Sequence, residues 1–413
     1  MYRRFVAAAA TCMLASSVVV SAQEHQHQHA ADQDQESAWM FMHDGVIVGL
    51  INHQGGPRGG DELKAPNWWM EMASRRIGRG QLTLTGMFSL DPATAGKAGY
   101  REIFQVGEAL DGRPLIDRQH PHDLFMQLAA TWRIPVSDAT GLTIAGGPVG
   151  EPALGPIAFM HRASSENVPL ATLSHHIFDS THIAFGVVTA AVDRGPWTLE
   201  ASLFNGREPD EHRWDFDFGR LDSVAARVWF RPAPAWELQV SSGHLVHPEQ
   251  LEPGNVQRTT ASFSWFSHIA DDRFTAVTIG YGVNAAHDTS RQAVFAEATR
   301  HAGASSWSMR AELLQVERDV LIEDRIPVSP GGNQMRDPLG ALTVGGARDI
   351  LRWKDVEASL GANVTVYAVP SSLQPTHGEH PVSVQLFFRL RPPAGTMGRM
   401  WNMRMGKPMM HGN

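Results

Sequence analysis

Asp355–Tyr367 reads DVEASLGANVTVY. Val356, Ala358, Leu360, Ala362, Val364 and Val366 share one parity, and Asp355, Glu357, Ser359, Gly361, Asn363 and Thr365 share the other. Side chains alternate across a strand, so the run has one apolar face and one polar face, and a helix would scatter both. It is long enough to cross a bilayer at a tilt, which takes about 9–11 residues. A half-buried strand of a soluble sandwich looks the same locally. The number of copies, and what joins them, decides between the two.

Working outward, the same reading gives strands at Ala38–Leu50, Asn67–Ile77, Gln81–Leu90, Asp123–Ile134, a short Leu142–Ala145, His182–Val192, Trp197–Phe204 and Ser223–Phe230. It continues through Glu237–Leu245, Thr259–Ser267, Phe274–Val283, Ala293–Thr299, Trp307–Gln315, Leu339–Ile350, Asp355–Tyr367 and Pro381–Arg391. The expectation is an all-β, antiparallel, up-and-down transmembrane barrel of about 16 strands, with 14 as the alternative. Tight turns such as Gly78-Arg79-Gly80 and Asp193-Arg194-Gly195-Pro196 alternate with long connections such as Asp91–His122, Gly146–Thr181 and Asn205–Leu221. Outer-membrane barrels pair short periplasmic turns with long extracellular loops in this way. The same count places both termini in the periplasm. Trp39, Trp132, Trp197, Trp229, Trp236, Trp265, Trp307 and Trp353 gather near the short-turn ends, as an interfacial girdle would.

The two ends of the chain carry their own signals. Arg3 and Arg4, an apolar run from Phe5, and Val20-Ser21-Ala22 read as a secretory signal peptide over residues 1–22. The one cysteine, Cys12, lies inside it, so disulfides and thiolate sites are not expected in the mature chain. Loss of the two arginines takes the formal charge from −8 to −10, which does not favour a nucleic-acid partner. Residues 23–37, with His25, His27 and His29, read as a disordered periplasmic lead, the barrel as 38–392, and 393–413 as a Met/His-rich periplasmic tail.

Sixteen strands should enclose an aqueous channel. Its lining would be Glu200, Arg227, Glu237, Gln239, Glu297, Arg310, Glu312, Glu357, Gln385 and Arg389, which carry both signs and can pair across strands. The loop containing GPVGEPALGPIAFMHR is rich in Gly, Pro and apolar residues, which suits folding into the barrel mouth. His120, His122, Asp123, His161, His175, His176, Asp179 and His182 are the candidate metal ligands of the loops. Imidazole and carboxylate suit zinc, copper or nickel. The spacing matches no strict zinc signature, no helix is expected to align the set, and histidines hydrogen-bonding a plugging loop would read identically. In the tail, Met400, Met403, Met405, Met409, Met410 and His411 suit Cu(I), or form a low-complexity extension with no ligand. No catalytic residue, enzyme activity or required cofactor is expected; copper or another divalent metal would be a bound ligand.

GPVGEPALGPIAFMHR (147–162), HHIFDSTHI (175–183), FNGREPDEHRWDFD (204–217) and QHPHD (119–123) resemble a family of proteobacterial outer-membrane β-barrel proteins, over most of the mature chain. Genes of that family often lie near copper and heavy-metal resistance determinants, so the resemblance implies a metal-linked role. The His-bearing start and Met/His end are similar in architecture to the copper resistance protein B group. The expected function is an outer-membrane barrel or channel in copper or other heavy-metal handling, with outer-membrane lipid, metal ions and periplasmic metal-handling proteins as partners. A homo-oligomer is compatible with this size. The alternatives are a general diffusion porin without metal function and a plugged barrel with a structural or binding role.

Overall fold

The computed structural model describes residues 38–251, 254–270, 273–286, 289–323, 336–354 and 356–392; residues 1–37, read above as a signal peptide and His-bearing lead, and the Met397–His411 tail lie outside them. In chain order the strands are β1 (Met40–Gln54), β2 (Gly60–Lys64), β3 (Asn67–Ile77), β4 (Gly80–Phe88), β5 (Tyr100–Leu110), β6 (Arg113–Gln119), β7 (Phe125–Ser137), β8 (Thr140–Gly150), β9 (Ala184–Arg194) and β10 (Trp197–Phe204). They continue as β11 (Ser223–Phe230), β12 (Trp236–Leu245), β13 (Val256–Ala270), β14 (Arg273–Ala286), β15 (Thr289–Ala302), β16 (Ser305–Glu317), β17 (Arg336–Trp353), β18 (Val356–Ala368) and β19 (Val382–Arg391).

All but β2, β5 and β6 form a closed antiparallel barrel of sixteen strands. Closure runs through β1, which pairs with β3 over Met40–Ile47 on one side and with β19 over Ile47–His53 on the other. β2 extends the β3 line along the upper part of β1. The two are separated at Ala65-Pro66, where a prolyl nitrogen has no hydrogen to give the ladder. At the tight turn between β9 and β10, Gly195 takes φ +55°, a left-handed conformation that glycine adopts without a Cβ penalty.

Burial shows which way the faces point. Along β18, Leu360, Val364 and Val366 are exposed, with Leu360 at 52%, while Glu357, Asn363 and Thr365 are buried, with Glu357 at 0%. β10 and β12 alternate in the same sense. Apolar side chains outside and polar ones inside invert the soluble arrangement and leave an outward surface that hydrocarbon satisfies. All ten residues expected to line the interior are buried. Trp197, Trp236, Trp307 and Trp353 are exposed at the short-turn ends, as a girdle requires. Trp229 is not part of it: it points inward at 1% exposure and donates its Nε1–H to Glu200 at 2.9 Å. Trp132 lines an outward groove of about 540 Å³ with Leu82, Ile144, Gly146, Val188 and Leu221.

Three elements differ from the sequence reading. The short strand at Leu142–Ala145 is the middle of the eleven-residue β8. The strand read from His182 begins at Ala184, because Ser180–His182 form a single 3-10 turn. The segment Asp91–His122, read as loop throughout, contains the hairpin β5–β6, a separate two-stranded sheet.

The apolar core lies in the lumen. Ile103 and Phe104 of β5 pack with Leu173, Ile177 and Phe178 of the β8–β9 loop against Phe295, Leu314, Leu339 and Tyr367 of the wall. Phe104 sits at φ +70°, a costly conformation for a bulky residue. It is held by its N–H on Asp117 Oδ1 at 2.7 Å and by stacking on His377 at 4.6 Å.

Replacing outward-facing Leu386 by arginine (Leu386→Arg) is expected to lower the free energy of folding into lipid vesicles by about 2–4 kcal/mol, the cost of a guanidinium near the bilayer midplane. Leu386→Phe is the neutral comparison. Equal urea midpoints for the two would place that face outside the hydrocarbon.

Candidate metal centre

Residues 151–183 run from the end of β8 to the start of β9 and cross the lumen rather than leaving it. Their backbone polar groups are met by the wall. Ser202 Oγ accepts from Ala153 N at 2.7 Å and Ser241 Oγ from Gly155 N at 2.8 Å. Arg310 Nη1 donates to the carbonyls of Leu170 and Ala171 at 3.0 Å each, and Glu312 accepts from Ser174 N and Oγ. Arg389 Nη1 holds the Glu166 carbonyl at 2.8 Å, and Asn363 Nδ2 that of Asn167 at 2.9 Å. A loop buried in this way needs such partners for its N–H and C=O groups.

Charge ties the loop down as well. Arg162, fully within the lumen, donates Nε to Glu297 at 2.5 Å and Nη1 to Asp179 at 2.9 Å, while Arg310 reaches the same Glu297 at 3.2 Å. Cross-strand ion pairs of the expected kind are present, as Arg227–Glu200 at 2.7 Å shows. The open aqueous bore that sixteen strands suggested is instead occupied by this loop and by β5–β6. Gln105 of β5 bonds the Thr172 carbonyl, and Ala171 N donates to the Tyr100 hydroxyl.

Five of the candidate histidines form one continuous group, buried at His175, His176 and His182 and half-buried at His120 and His122. His122 and His182 have ring centroids 5.7 Å apart, His182 and His175 5.3 Å, His175 and His176 5.4 Å, and His176 and His120 5.6 Å. A one-turn helix at His175–Phe178, contrary to expectation, places His175 and Asp179 on one face at i and i+4. Four rings have Nδ1 fixed by an oxygen that can only accept. His122 faces Asp91 at 2.8 Å, His175 faces Asp179 Oδ1 at 2.8 Å, His182 faces the Asp179 carbonyl at 2.8 Å, and His120 faces the Pro121 carbonyl at 3.1 Å. Nδ1 of each neutral ring must therefore carry the proton, and Nε2 keeps its lone pair. His182 Nε2 and His176 Nε2 are buried without a hydrogen-bond partner.

Burial disfavours the cation at His120, His161, His175 and His182. Burial pushes His120 down to about 3, and the His176 imidazole adds to it. Burial and the His122 ring bring His161 to about 4. Burial, followed by His175 and His122, holds His182 well below the usual histidine range. Burial also lowers His175, against the pull of Asp179. Neutral imidazole is the form that binds a metal.

His176 differs. Burial opposes its cation, but the Glu208 carboxylate, 3.3 Å from Nδ1, raises it above the ordinary value. Glu208 belongs to the loop after β10 and was not among the residues singled out from the sequence. Burial alone would raise its carboxyl; His176, Arg258 and His120 hold it below the usual range. Donor atoms of His120, His176 and Glu208 lie within 4.8 Å of one another.

The remaining candidates lie around this group. Asp179 has both oxygens committed, Oδ1 to His175 and Oδ2 to Arg162 and Phe159 N, so it orients a ring. His161 packs edge-on to Trp68 at 4.7 Å. Asp123 pairs with Arg213 at 3.0 Å, and burial, then Asp217, Asp210 and Asp215, push its carboxyl up. Those three aspartates form a separate group with carboxylate oxygens within 4.8 Å. The tail candidates Met400, Met403, Met405, Met409, Met410 and His411 lie outside the described residues.

No family model matches this chain. No curated protein matches it either. Among solved structures, OprB of Pseudomonas putida superposes with TM-score 0.53 at 11% identity, covering 87% of this chain and 94% of that one. The anion-selective porin from Comamonas acidovorans gives TM-score 0.48 at 10% identity over 86% and 100% of the two chains. The loop L8 deletion mutant of OmpT, an outer membrane protein of Vibrio cholerae, gives 0.48 at 8% over 85% and 99%. The likeness to OprB is one of fold.

Arg162→Met should strand the Asp179 carboxylate and half of the Glu297 network in the lumen. The expected loss is about 3–5 kcal/mol in folding free energy, the scale for breaking a buried ion pair. Planar-bilayer conductance should rise as the loop loosens. Wild-type stability together with wild-type conductance would show that the loop is not held by this residue.

Proposed function

We propose that this barrel binds a transition-metal ion in its lumen and serves copper or other heavy-metal handling at the outer membrane. The observation that carries the reading is the group of buried imidazoles. Four of them turn a fixed Nδ1–H toward an oxygen and keep an Nε2 lone pair, the outer-shell pattern that orients histidine on a metal. A plug that needed histidine only for packing has no use for unpartnered nitrogens at His176 and His182, since buried polar groups without partners are costly. Long loops facing outward would turn the short-turn side toward the periplasm, where metal-handling proteins would exchange the ion. A general diffusion porin is the weaker reading, because the lumen loop is bonded to the wall from β10 round to β19.

The mature protein, residues 23–413, is expected to bind Cu2+ or Zn2+ near one equivalent in isothermal titration. A chain ending at Pro392 should bind equally well, because the imidazoles lie in the barrel. The triple variant H175A/H176A/H182A should lose binding by at least about tenfold, the scale on which even outer-shell changes act. Binding that vanished with the tail alone would move the site to Met397–His411, and no binding by the full chain would end the metal reading.

A further inference from the structure

Within the metal reading just given, we infer that the ion sits between His120, His176 and Glu208, and that this N2O site takes a borderline divalent cation, Zn2+, Ni2+ or Cu2+, rather than Cu+.

Glu208 is the reason. Its side chain is 5% exposed, yet neither carboxylate oxygen has a donor at ordinary hydrogen-bond geometry. Its near neighbour is His176 Nδ1 at 3.3 Å. A hydrogen bond between an imidazolium and a carboxylate is shorter, about 2.7–2.9 Å. Two ligand atoms on a tetrahedral ion with bonds of about 2.0–2.1 Å stand roughly 3.4 Å apart. The 3.3 Å separation matches the spacing of two donors on a shared ion. The third donor, from His120, lies within the same 4.8 Å, so inward movement of a side chain by about an ångström completes the set.

The three donors come from three loops, those after β6, β8 and β10, and their backbones are fixed independently. The His176 carbonyl accepts from Arg258 Nη2 at 2.8 Å and from Asn284 Nδ2 at 2.9 Å, both on wall strands. Glu208 N donates to the Pro248 carbonyl at 2.9 Å. His120 turns its Nδ1–H to Pro121 and so presents Nε2. The imidazoles of His175, His182 and His122 continue from one side of this set as the next nitrogens an ion would meet. Two nitrogens and a carboxylate, without sulfur, match the preference of borderline divalent ions, and Cu+ prefers thioether or thiolate.

The test is a titration of the full mature protein with Zn2+ and Co2+, followed by calorimetry and by the visible d–d bands of bound Co2+. Glu208→Gln keeps the shape and removes the charge. It should weaken both ions at least tenfold and alter the Co2+ bands, His120→Ala should do the same from a different loop, and wild type should prefer Zn2+ to Cu+. Heat-modified gel mobility confirms that each variant is folded. If Glu208→Gln and His120→Ala bind as wild type while H175A/H176A/H182A does not, the ion lies at the His122–His182 end and this inference is overturned with the metal reading intact. Preference for Cu+ would likewise overturn it. Failure of the wild type to bind any of these ions would remove the metal reading itself.

Discussion

Hydrocarbon offers a backbone no hydrogen bonds, and the rest of this structure follows from that constraint. A strand can cross only if both its edges are paired, so the sheet has to close, and β1 makes the closure by pairing with β3 over its first half and β19 over its second. Closure sends every second side chain outward into lipid and the others inward. The outward set is apolar because nothing there can solvate a charge. The inward set was free to be polar, and it carries Glu200, Arg227, Glu297, Arg310, Glu357 and Arg389.

A wall so lined has its own demand. Buried charges need partners, and neighbouring strands satisfy only some of them. The loop at 151–183 supplies the remainder: Arg162 inserts between Glu297 and Asp179, Glu312 receives the amides of Leu173 and Ser174, and Arg310 and Arg389 take loop carbonyls. The glycines of the wall make room for it. A Cβ at Gly282 would come within 2.8 Å of Phe178 and 3.0 Å of Ile177. Wall and plug therefore specify one another, which explains why the protein's main apolar core is inside the barrel rather than between layers.

Parity made the barrel legible. DVEASLGANVTVY and its fifteen counterparts each bury one face and expose the other, so the strand count and the identity of the lining residues could be read directly. Trp229 misled because position near a turn says nothing about direction; its parity partner Arg227 already pointed inward. The hairpin β5–β6 was hidden for a physical reason: it packs on the lumen contents with both faces, so YREIFQVGEAL shows no clean alternation. The loop histidines stood out by type and density. Glu208 did not, because it lies 32 residues beyond His176 in an acidic stretch where one more carboxylate carries no mark. Only the folded position, buried against His176 Nδ1 at 3.3 Å, distinguishes it from Glu211 or Asp210.

The histidines show how little of a site's chemistry resides in composition. Twenty histidines in the chain give many ways to hold a metal and as many to pack a plug. What separates these uses is which nitrogen is already spent. Where Nδ1 donates to Asp91, Asp179 or a carbonyl, the ring's tautomer is set before any ion arrives, and the proton cannot move to Nε2 without giving up that bond. Burial then disfavours a second proton, pushing His120 down to about 3. The two effects act together: one aims a lone pair into the lumen and the other keeps it unprotonated near neutral pH. Glu208 adds the negative charge that neutral rings lack. A divalent ion arriving there meets the neutral His120 ring and a carboxylate paired with His176, and it displaces the His176 Nδ1 proton as it binds.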